Sequence, residues 1–192
     1  MRVAFLTNNP NISDSLFEWL NIRENALYVN DLLSVDFLLD YSIEFIVSYN
    51  YKYIIKKDII DLLPNRIINL HTSFLPYNRG ADPNIWSFID GSPCGVTIHQ
   101  VNEGLDTGDI LLQQSISFDT EIETLSSSYE KLHQLIQELF INNWELLKQF
   151  KIKPVKQVNI GTTHKKSDLL KYAQVIDYND KVSDFLQKIK EL

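Results

Sequence analysis

Two short segments carry side chains that can exchange a proton and hold a negatively charged oxygen. Asn69 and His71 flank a single leucine, and Asp106 stands in the turn-forming sequence Leu-Asp-Thr-Gly. A neutral imidazole can accept a proton from an attacking amine, and a side-chain amide can donate a hydrogen bond to a developing oxyanion. A carboxylate close to the imidazole would orient the ring and favour its charged form. Alone, each segment is more typical of an ordinary strand or turn, so the chemistry requires that the fold bring them together.

The sequence around these residues predicts how they meet. A strand over residues 66–72 would place Asn69 and His71 on one face, with Leu70 packing behind them. That strand runs into a loop rich in proline and glycine, and ligands of parallel α/β sheets bind at the carboxyl ends of the strands. Thr107 and Gly108 tolerate irregular backbone, so Asp106 can turn inward from its loop.

The remaining pattern alternates strands with helices, and its apolar runs are typical of a parallel sheet covered on both faces. It predicts an α/β, Rossmann-like fold with a mostly parallel central sheet, as one domain over residues 1–192 (core about 1–150, C-terminal extension about 151–192). The other predicted strands cover residues 2–7, 26–29, 45–49, 96–101 and 110–118, with one or two short strands after 155. Five helices are predicted. The first begins at Ser13 or Asp14 and runs to Leu20, and the second covers 57–63. The third contains Ile85, Trp86 and Phe88, the fourth covers 125–150, and the fifth begins near Lys181.

Composition narrows the class of protein. The 192 residues are 44% hydrophobic and 22% charged, with a net charge of −7, which argues against a nucleic-acid partner. The charge is uneven, because ten basic and five acidic residues from Lys148 onward give +5 and leave −12 for the rest. The N-terminal apolar stretch is too short for a signal peptide or a membrane span, so no membrane partner is expected. The single cysteine, Cys94, favours a reducing, cytoplasmic setting, and the sequence offers no credible metal site.

The run NLHTSFLPYNRGADPNIWSFIDGSPCGVTIHQVNEGLDTGDIL, residues 69–111 or so, resembles the catalytic core of the formyltetrahydrofolate-dependent formyltransferase family. The resemblance implies an enzyme that moves a formyl group from the co-substrate N10-formyltetrahydrofolate to an amine. It places the family's catalytic set on Asn69, His71 and Asp106. His99 belongs to the family signature Gly-Val-Thr-x-His, although a histidine in such a strand is more often simply packed.

The resemblance also suggests a folate site. The segment SYNYKYII, residues 48–55, is similar to the family's pterin-binding segment, so Tyr51, Lys52, Tyr53 and Ile54 are candidate folate-binding residues. Asp109 is expected to close the other side of the pterin. The alternative is a strand end whose tyrosines lie on the surface.

The acceptor is inferred by comparing features of this sequence with those of the family's branches, which formylate different amines. The turn TNNPNIS after the first strand lacks the glycines that cradle phosphate in glycinamide ribonucleotide enzymes. The charge and the short C-terminal segment argue against a methionyl-tRNA substrate. The runs from Tyr77 to Trp86 and from Gly161 to Leu169 resemble the nucleotide-sugar branch, which formylates an amino-deoxysugar. The expected acceptor is a dTDP-4-amino-4,6-dideoxyhexose used for surface polysaccharide such as O-antigen.

The candidate acceptor-binding residues are Asn8, Asn9, Tyr77, Arg79 and Trp86, with Lys52 as a further candidate for the sugar or diphosphate. Asn8 and Asn9 are equally well explained as turn-forming residues. A homodimer through an edge strand over residues 155–163 is a further expectation. Four alternatives stay open: a phosphoribosylglycinamide formyltransferase, a methionyl-tRNA formyltransferase-like enzyme, an inactive folate or nucleotide-sugar binding module, and an assembly protein.

Overall fold

A six-stranded sheet forms the centre of the computed structural model, which describes residues 1–157 and 161–192. The strand order is β2-β1-β3-β4-β6-β7. The first four strands in this order are parallel, whereas β6 runs antiparallel to both β4 and β7. The expected mostly parallel α/β sheet is therefore confirmed. The strands are β1 (Arg2–Leu6), β2 (Asn25–Val29), β3 (Phe45–Tyr49), β4 (Ile67–His71), β5 (Arg79–Gly80), β6 (Gly95–Gln100), β7 (Ile110–Ser115) and β8 (Thr163–His164).

Helices cover both faces of this sheet, as the apolar runs predict. The helices are α1 (Pro10–Arg23), α2 (Val35–Asp40), α3 (Lys57–Leu62), α4 (Pro83–Ile89), α5 (Leu125–Lys148) and α6 (Val182–Lys190), with a 3₁₀ helix at Lys166–Tyr172. Apolar side chains of α1 and α5 share one core with the sheet, and those of α2 and α3 share the other. Within the described ranges, no helix combines the length and apolar character that crossing a bilayer requires.

Strand β3 illustrates why the runs are continuously apolar. All five of its residues are buried. Val47 packs in the core with α1 and α5, whereas Ile46 packs in the core with α2 and α3. Since alternate side chains point to opposite faces, a strand covered on both sides has no solvent-facing position.

Helix α1 begins earlier than the prediction of a cap at Ser13 or Asp14. Asn9 is the N-cap and Pro10 opens the helix. Proline suits this first position because its missing N–H would be unsatisfied there and its φ is already helical. Ser13 is instead buried inside the first turns, where its hydroxyl donates to the Asn9 carbonyl oxygen at 2.7 Å.

Two other helix boundaries depart from expectation. Helix α2 is absent from the sequence-based prediction. Its N-cap is Ser34, whose hydroxyl accepts a hydrogen bond from the Phe37 amide at 3.1 Å. Helix α5 ends at Lys148 instead of residue 150, because Phe150 has a φ of +56° and leaves the helical region.

The C-terminal part of the chain packs on the sheet's flank. Strand β8 pairs in parallel with β5 to form a separate two-stranded sheet. Val182 and Phe185 of α6 are fully buried in a third cluster with Ile85, Phe88 and Leu125. The predicted edge strand over residues 155–163 lies partly outside the described residues, at 158–160; of the rest, Val155 bridges Ile110 of β7.

A histidine is buried where α5 crosses β3. His133 is 3% exposed, and its Nδ1 lies 2.6 Å from the Tyr49 hydroxyl. Its ring also contacts the Tyr129 ring, with 4.1 Å between centroids. Burial disfavours the charged imidazole and lowers the pKa of His133 to about 4.

Folding stability is therefore expected to depend on His133 under mild acid. An unfolded histidine binds a proton below a pKa of about 6.5, whereas folded His133 resists protonation until about pH 4, so stability is lost as pH falls between these values. At about 1.4 kcal/mol per pKa unit, this loss is on the order of 3 kcal/mol. The measurement is urea unfolding of the wild type and His133→Phe at pH 7 and pH 4.5. An equal loss of stability in the two proteins would contradict this account.

Candidate active site

Strand β4 presents the two predicted polar side chains on one face. Leu70 packs behind them in the core with α1 and α5, whereas Asn69 and His71 share their face with Ile67, which belongs to the opposite core. In the antiparallel register of β4 with β6, Asn69 lies directly across from His99. Because paired residues project to the same side of a sheet, His99 reaches the site that β4 builds.

Asp106 reaches this face from the loop between β6 and β7. Its φ of +50° is a left-handed conformation, which turns the side chain inward from the loop. The loop packs closely on β6: a Cβ at Gly108 would lie 1.6 Å from the Gln100 carbonyl oxygen. Asp106 Oδ2 accepts a 2.8 Å hydrogen bond from the Gly80 amide, and Asp106 Oδ1 accepts from Asn69 Nδ2 at 3.3 Å.

The hydrogen bonds of His71 select its tautomer. Its Nε2 lies 3.1 Å from the carbonyl oxygen of Asn78, so the neutral ring carries its proton on Nε2 and donates it there. The unprotonated Nδ1 then faces Asp106 Oδ2 at 3.8 Å. This leaves a lone pair on Nδ1 that can accept a proton from a bound molecule.

Asn78 is a site residue that the sequence alone does not reveal. It is fully buried with a φ of +55°, and its side-chain amide donates to the Ser92 hydroxyl at 2.7 Å. Thr162, from the C-terminal segment, donates its hydroxyl to Asn78 Oδ1 at 2.9 Å. These contacts hold the carbonyl that orients His71. The left-handed tendency of asparagine in a Tyr-Asn-Arg-Gly turn was the available signal, but it does not identify the carbonyl's partner.

Burial and charge oppose each other at His71. Burial lowers the pKa of His71, and the attraction of Asp106 only partly offsets this effect, so the imidazole is neutral at pH 7. The sequence-based expectation that Asp106 favours the imidazolium has the right sign, but desolvation is the larger effect. Burial acts to raise the pKa of Asp106, yet His71, His99 and the Gly80 amide outweigh it and hold that pKa well below its usual range.

His99 belongs to the site as well as to the core. It is 2% exposed, and its Nε2 lies 3.3 Å from Asn69 Nδ2 and 3.5 Å from Asp106 Oδ1. Its Nδ1 lies 2.7 Å from the Gln100 carbonyl oxygen, which favours a proton on Nδ1 and leaves Nε2 as an acceptor for the Asn69 amide. The interpretation of His99 from sequence, as a packed strand histidine, therefore missed its polar contacts, because it did not take the pairing of β6 with β4 into account.

Two cavities meet at these residues. The first, the tyrosine cavity, has a volume of about 320 Å³ and is lined by Ser48, Tyr51, Lys52, Tyr53, Ile54, Ile55, Asn69, His99 and residues 101–106. The second, the lysine cavity, has a volume of about 600 Å³ and is lined by Asn9, Asn50, Tyr51, Lys52, residues 69–72, residues 80–83, Leu105, Asp106 and residues 164–166. Asn69 and Asp106 line both cavities, so one continuous cleft carries them at its middle.

The candidate folate-binding residues divide by position. Tyr51, Lys52, Tyr53 and Ile54 all line the tyrosine cavity. The Tyr51 hydroxyl donates to the Asp31 carbonyl oxygen at 2.6 Å, so its ring is held in place. Asp109 does not line the tyrosine cavity; it lines a separate depression with Ile60 and Pro64, next to the close approach of Gly108 to Gln100.

The candidate acceptor-binding residues are mostly engaged elsewhere. Asn9 lines the lysine cavity, and its amide donates to the Tyr129 hydroxyl at 3.3 Å. Asn8 does not line it, because its side chain joins two loops, donating to the Asn30 carbonyl oxygen at 2.6 Å and accepting from the Lys52 amide at 2.9 Å. This placement matches the turn-forming alternative for Asn8.

The other three candidates also lie outside the cleft lining. Arg79 donates twice to Gln157 Oε1, at 3.1 and 2.7 Å, so its guanidinium is used within the protein. Trp86 is 4% exposed and lies beneath the ring of His164. Tyr77 contributes its carbonyl oxygen to the Ser73 hydroxyl at 2.9 Å and lines neither cavity. Their contribution is structural support for the loop between β4 and α4.

Known proteins are similar to this chain in sequence and in fold. A model of the formyl transferase family matches residues 4–143. A methionyl-tRNA formyltransferase of Lachnospira eligens is 36% identical over 135 residues, which are 70% of this chain and 42% of that protein. Another, from Prochlorococcus marinus, is 32% identical over 187 residues, covering 94% of this chain and 55% of that protein. The chain thus spans about half the length of these curated relatives.

Solved structures share the fold. The formyltransferase PseJ from Anoxybacillus kamchatkensis, in complex with UDP-4,6-dideoxy-4-formamido-L-AltNAc and tetrahydrofolate, superposes with a TM-score of 0.88 and 36% identity, covering 98% of this chain and 99% of that one. A protein from Mycobacterium tuberculosis described as a likely sugar N-formyltransferase superposes with a TM-score of 0.77 at 23% identity, covering 94% of this chain and 81% of that one, which shows a common fold.

The charge of Asp106 is expected to control the titration of His71. In Asp106→Asn the attraction that raises the pKa of His71 is removed, so that pKa falls further below its usual range. The measurement is an NMR pH titration of the histidine ring protons. Asp90→Asn is the matched control, because Asp90 pairs with His164 at 2.8 Å and should leave the titration of His71 unchanged. A pKa of His71 that stays constant or rises in Asp106→Asn would contradict this coupling.

Proposed function

This chain belongs to the formyl transferase family, and from that premise we propose that it transfers a formyl group from N10-formyltetrahydrofolate to the amine of a nucleotide-linked amino-deoxysugar. The observation that carries the proposal is the continuous cleft with Asn69 and Asp106 at the junction of its two cavities and His71 beside them. Such a cleft admits a donor from one side and an acceptor from the other, and it brings both to the same three side chains.

The tyrosine cavity suits the folate. Its rings, Tyr51 and Tyr53, lie 5.4 Å apart between centroids, and Ile54 adds apolar surface to the same lining. A flat, partly polar pterin is well matched by aromatic and apolar walls with a few polar groups among them. The tetrahydrofolate present in the PseJ complex supports the same co-substrate here.

The catalytic roles follow from the hydrogen bonds. The acceptor amine must be neutral to attack the formyl carbon, and neutral His71 can take the proton on Nδ1 as the new C–N bond forms. The tetrahedral oxyanion then receives hydrogen bonds from Asn69 Nδ2, whose present contacts to Asp106 and His99 are long, at 3.3 Å, and easily exchanged.

The second half of the reaction returns the proton. The bond between the former formyl carbon and N10 of the folate breaks, and the proton held by His71 passes to that nitrogen. Asp106 stays ionised throughout and stabilises the transient imidazolium, which burial alone would disfavour. Proton and leaving group are thus balanced without any further reactant.

Two lines of similarity favour different acceptors. The curated relatives are methionyl-tRNA formyltransferases, but this chain aligns with 42% and 55% of their length. The PseJ structure matches over nearly the full extent of both chains at the same 36% identity, and its ligand is a UDP-linked 4-formamido sugar. That match favours a 4-amino-4,6-dideoxysugar, and it favours uridine over the thymidine nucleotide expected from sequence. Surface polysaccharide remains the proposed use of the product.

Loss of either proposed catalytic group is expected to abolish most of the transfer. Asn69→Ala should lower kcat by roughly 10²–10³-fold through loss of an oxyanion donor, and His71→Ala by roughly 10²–10⁴-fold through loss of the base. The assay is mass spectrometry of formylated acceptor, with thermal denaturation to verify folding and the exposed Lys153→Ala as control. Wild-type turnover in a folded His71→Ala protein would defeat the proposed mechanism.

An acceptor panel tests the substrate class. Purified protein with 10-formyltetrahydrofolate is offered UDP- and dTDP-linked 4-amino-4,6-dideoxyhexoses, glycinamide ribonucleotide and charged initiator tRNA. We expect a formyl mass gain on a nucleotide sugar, and none on the other two acceptors. Transfer to tRNA or to glycinamide ribonucleotide in preference to both sugars would replace this proposal with the corresponding alternative.

A further inference from the structure

A short basic segment from the C-terminal region lies at the lysine cavity. His164, Lys165 and Lys166 line it together with His71 and Asp106, although they follow Asp106 by more than fifty residues in the sequence. The segment lies beyond residue 143, where the match to the family model ends. It therefore lines the cleft from outside the region that matches the family model.

Four contacts fix the segment in place. Strand β8 pairs with β5, and the Ala81 amide donates to the His164 carbonyl oxygen at 3.0 Å. Gly80 permits this approach, because a Cβ there would lie 2.2 Å from that oxygen. The His164 ring stacks on the Trp86 ring at 3.8 Å with 4° between planes, and its Nε2 lies 2.8 Å from Asp90 Oδ2. The backbone that presents the next two lysines is consequently anchored to β5 and α4.

The lysines are available for an anion. Within residues 1–157 and 161–192, neither Lys165 nor Lys166 has a carboxylate oxygen within 4.0 Å of its ammonium nitrogen, and neither does Lys52, which lines the same cavity. Among the described residues, the carboxylates lining the same cavity are Asp82, which the charge of Lys166 attracts, and Asp106, which is already held by hydrogen bonds. In a protein with a net charge of −7, three lysines around one cavity, none with an ion pair among the described residues, mark a local site for negative charge.

We propose that Lys165 and Lys166 bind the diphosphate of the nucleotide-linked acceptor, with Lys52 completing the cationic wall. This inference rests on the proposed function and specifies how that acceptor is recognised. A diphosphate is the anionic group that every nucleoside-diphosphate sugar shares, whatever its base or sugar. Anchoring it at residues 165 and 166 leaves the sugar end to extend toward His71 and Asp106, which line the same cavity. The segment is thus a determinant of acceptor choice.

The test measures binding without catalysis. Isothermal titration calorimetry compares UDP, dTDP, uridine and thymidine on the wild type, on the double variant Lys165→Ala/Lys166→Ala, and on Lys153→Ala, which removes an exposed lysine outside the cavity. We expect the double variant to bind the diphosphates at least tenfold more weakly than the wild type does. Lys153→Ala should bind them like the wild type, and the diphosphates should bind the wild type more tightly than the nucleosides do. Added KCl should weaken diphosphate binding to the wild type more than to the double variant.

The outcomes separate this inference from the proposed function. Equal UDP and dTDP affinity in the wild type and the double variant would overturn the lysine assignment, and so would wild-type protein that binds neither diphosphate. Titration with 5-formyltetrahydrofolate shows that the double variant is folded at the cleft, since its affinity should match that of the wild type. The acceptor panel tests formyl transfer independently of diphosphate binding. Formyl transfer without lysine-dependent diphosphate binding would therefore contradict the assignment of Lys165 and Lys166 and leave the proposed function intact.

Discussion

The carboxylate of Asp106 is the interaction on which the rest of the site depends. It is an ionised group in a poorly hydrated place, and it persists there because the Gly80 amide and the Asn69 amide donate to it. Each of these donors comes from a different part of the chain, so a single buried charge holds the β6–β7 loop, β4 and β5 in one arrangement. Without such donors, burial of the carboxylate would cost several kcal/mol of folding free energy, and the β6–β7 loop would not be held against β4 and β5.

The same charge organises the chemistry around it. His71 stays neutral because burial disfavours its charged form more than the attraction of Asp106 favours it. The same attraction would stabilise the ring once Nδ1 binds a proton. The Asn78 carbonyl fixes the opposite ring nitrogen as the donor, so the basic nitrogen points to the carboxylate and the cleft. In the proposed mechanism, the site is therefore preorganised for a charge that appears only during the reaction, which is the arrangement that electrostatic catalysis requires.

The C-terminal segment joins this organisation through backbone contacts. Thr162 supports Asn78, and β8 pairs with β5 next to the amide that binds Asp106. Loops that carry binding residues need a rigid support, and here the stacked pair of Trp86 and His164 provides it. A chain segment outside the region matched by the family model thus contacts the residues that hold Asp106 and His71.

The sequence by itself determined what depends on local spacing. The alternation of Asn69 and His71 around Leu70, the uninterrupted apolar run of β3 and the long helical period of α5 specify strand, face and helix without knowledge of any neighbour. The resemblance to the formyltransferase family assigned Asp106 as the third member of the proposed set. The same resemblance named Tyr51, Lys52, Tyr53 and Ile54, which follow β3 directly and line the tyrosine cavity.

Only the tertiary structure decided which distant groups meet. His99 joins the site because β6 runs antiparallel beside β4, and Asn78 acts through a carbonyl whose partner no local pattern specifies. Trp86 and Arg79 do not line the cleft for the same reason. The Trp86 ring stacks on the His164 ring, and the Arg79 guanidinium donates to Gln157, and both partners are distant in the sequence. Strand order and hydrogen-bond choice are set by packing of the whole chain, whereas periodicity is set by the backbone's own geometry.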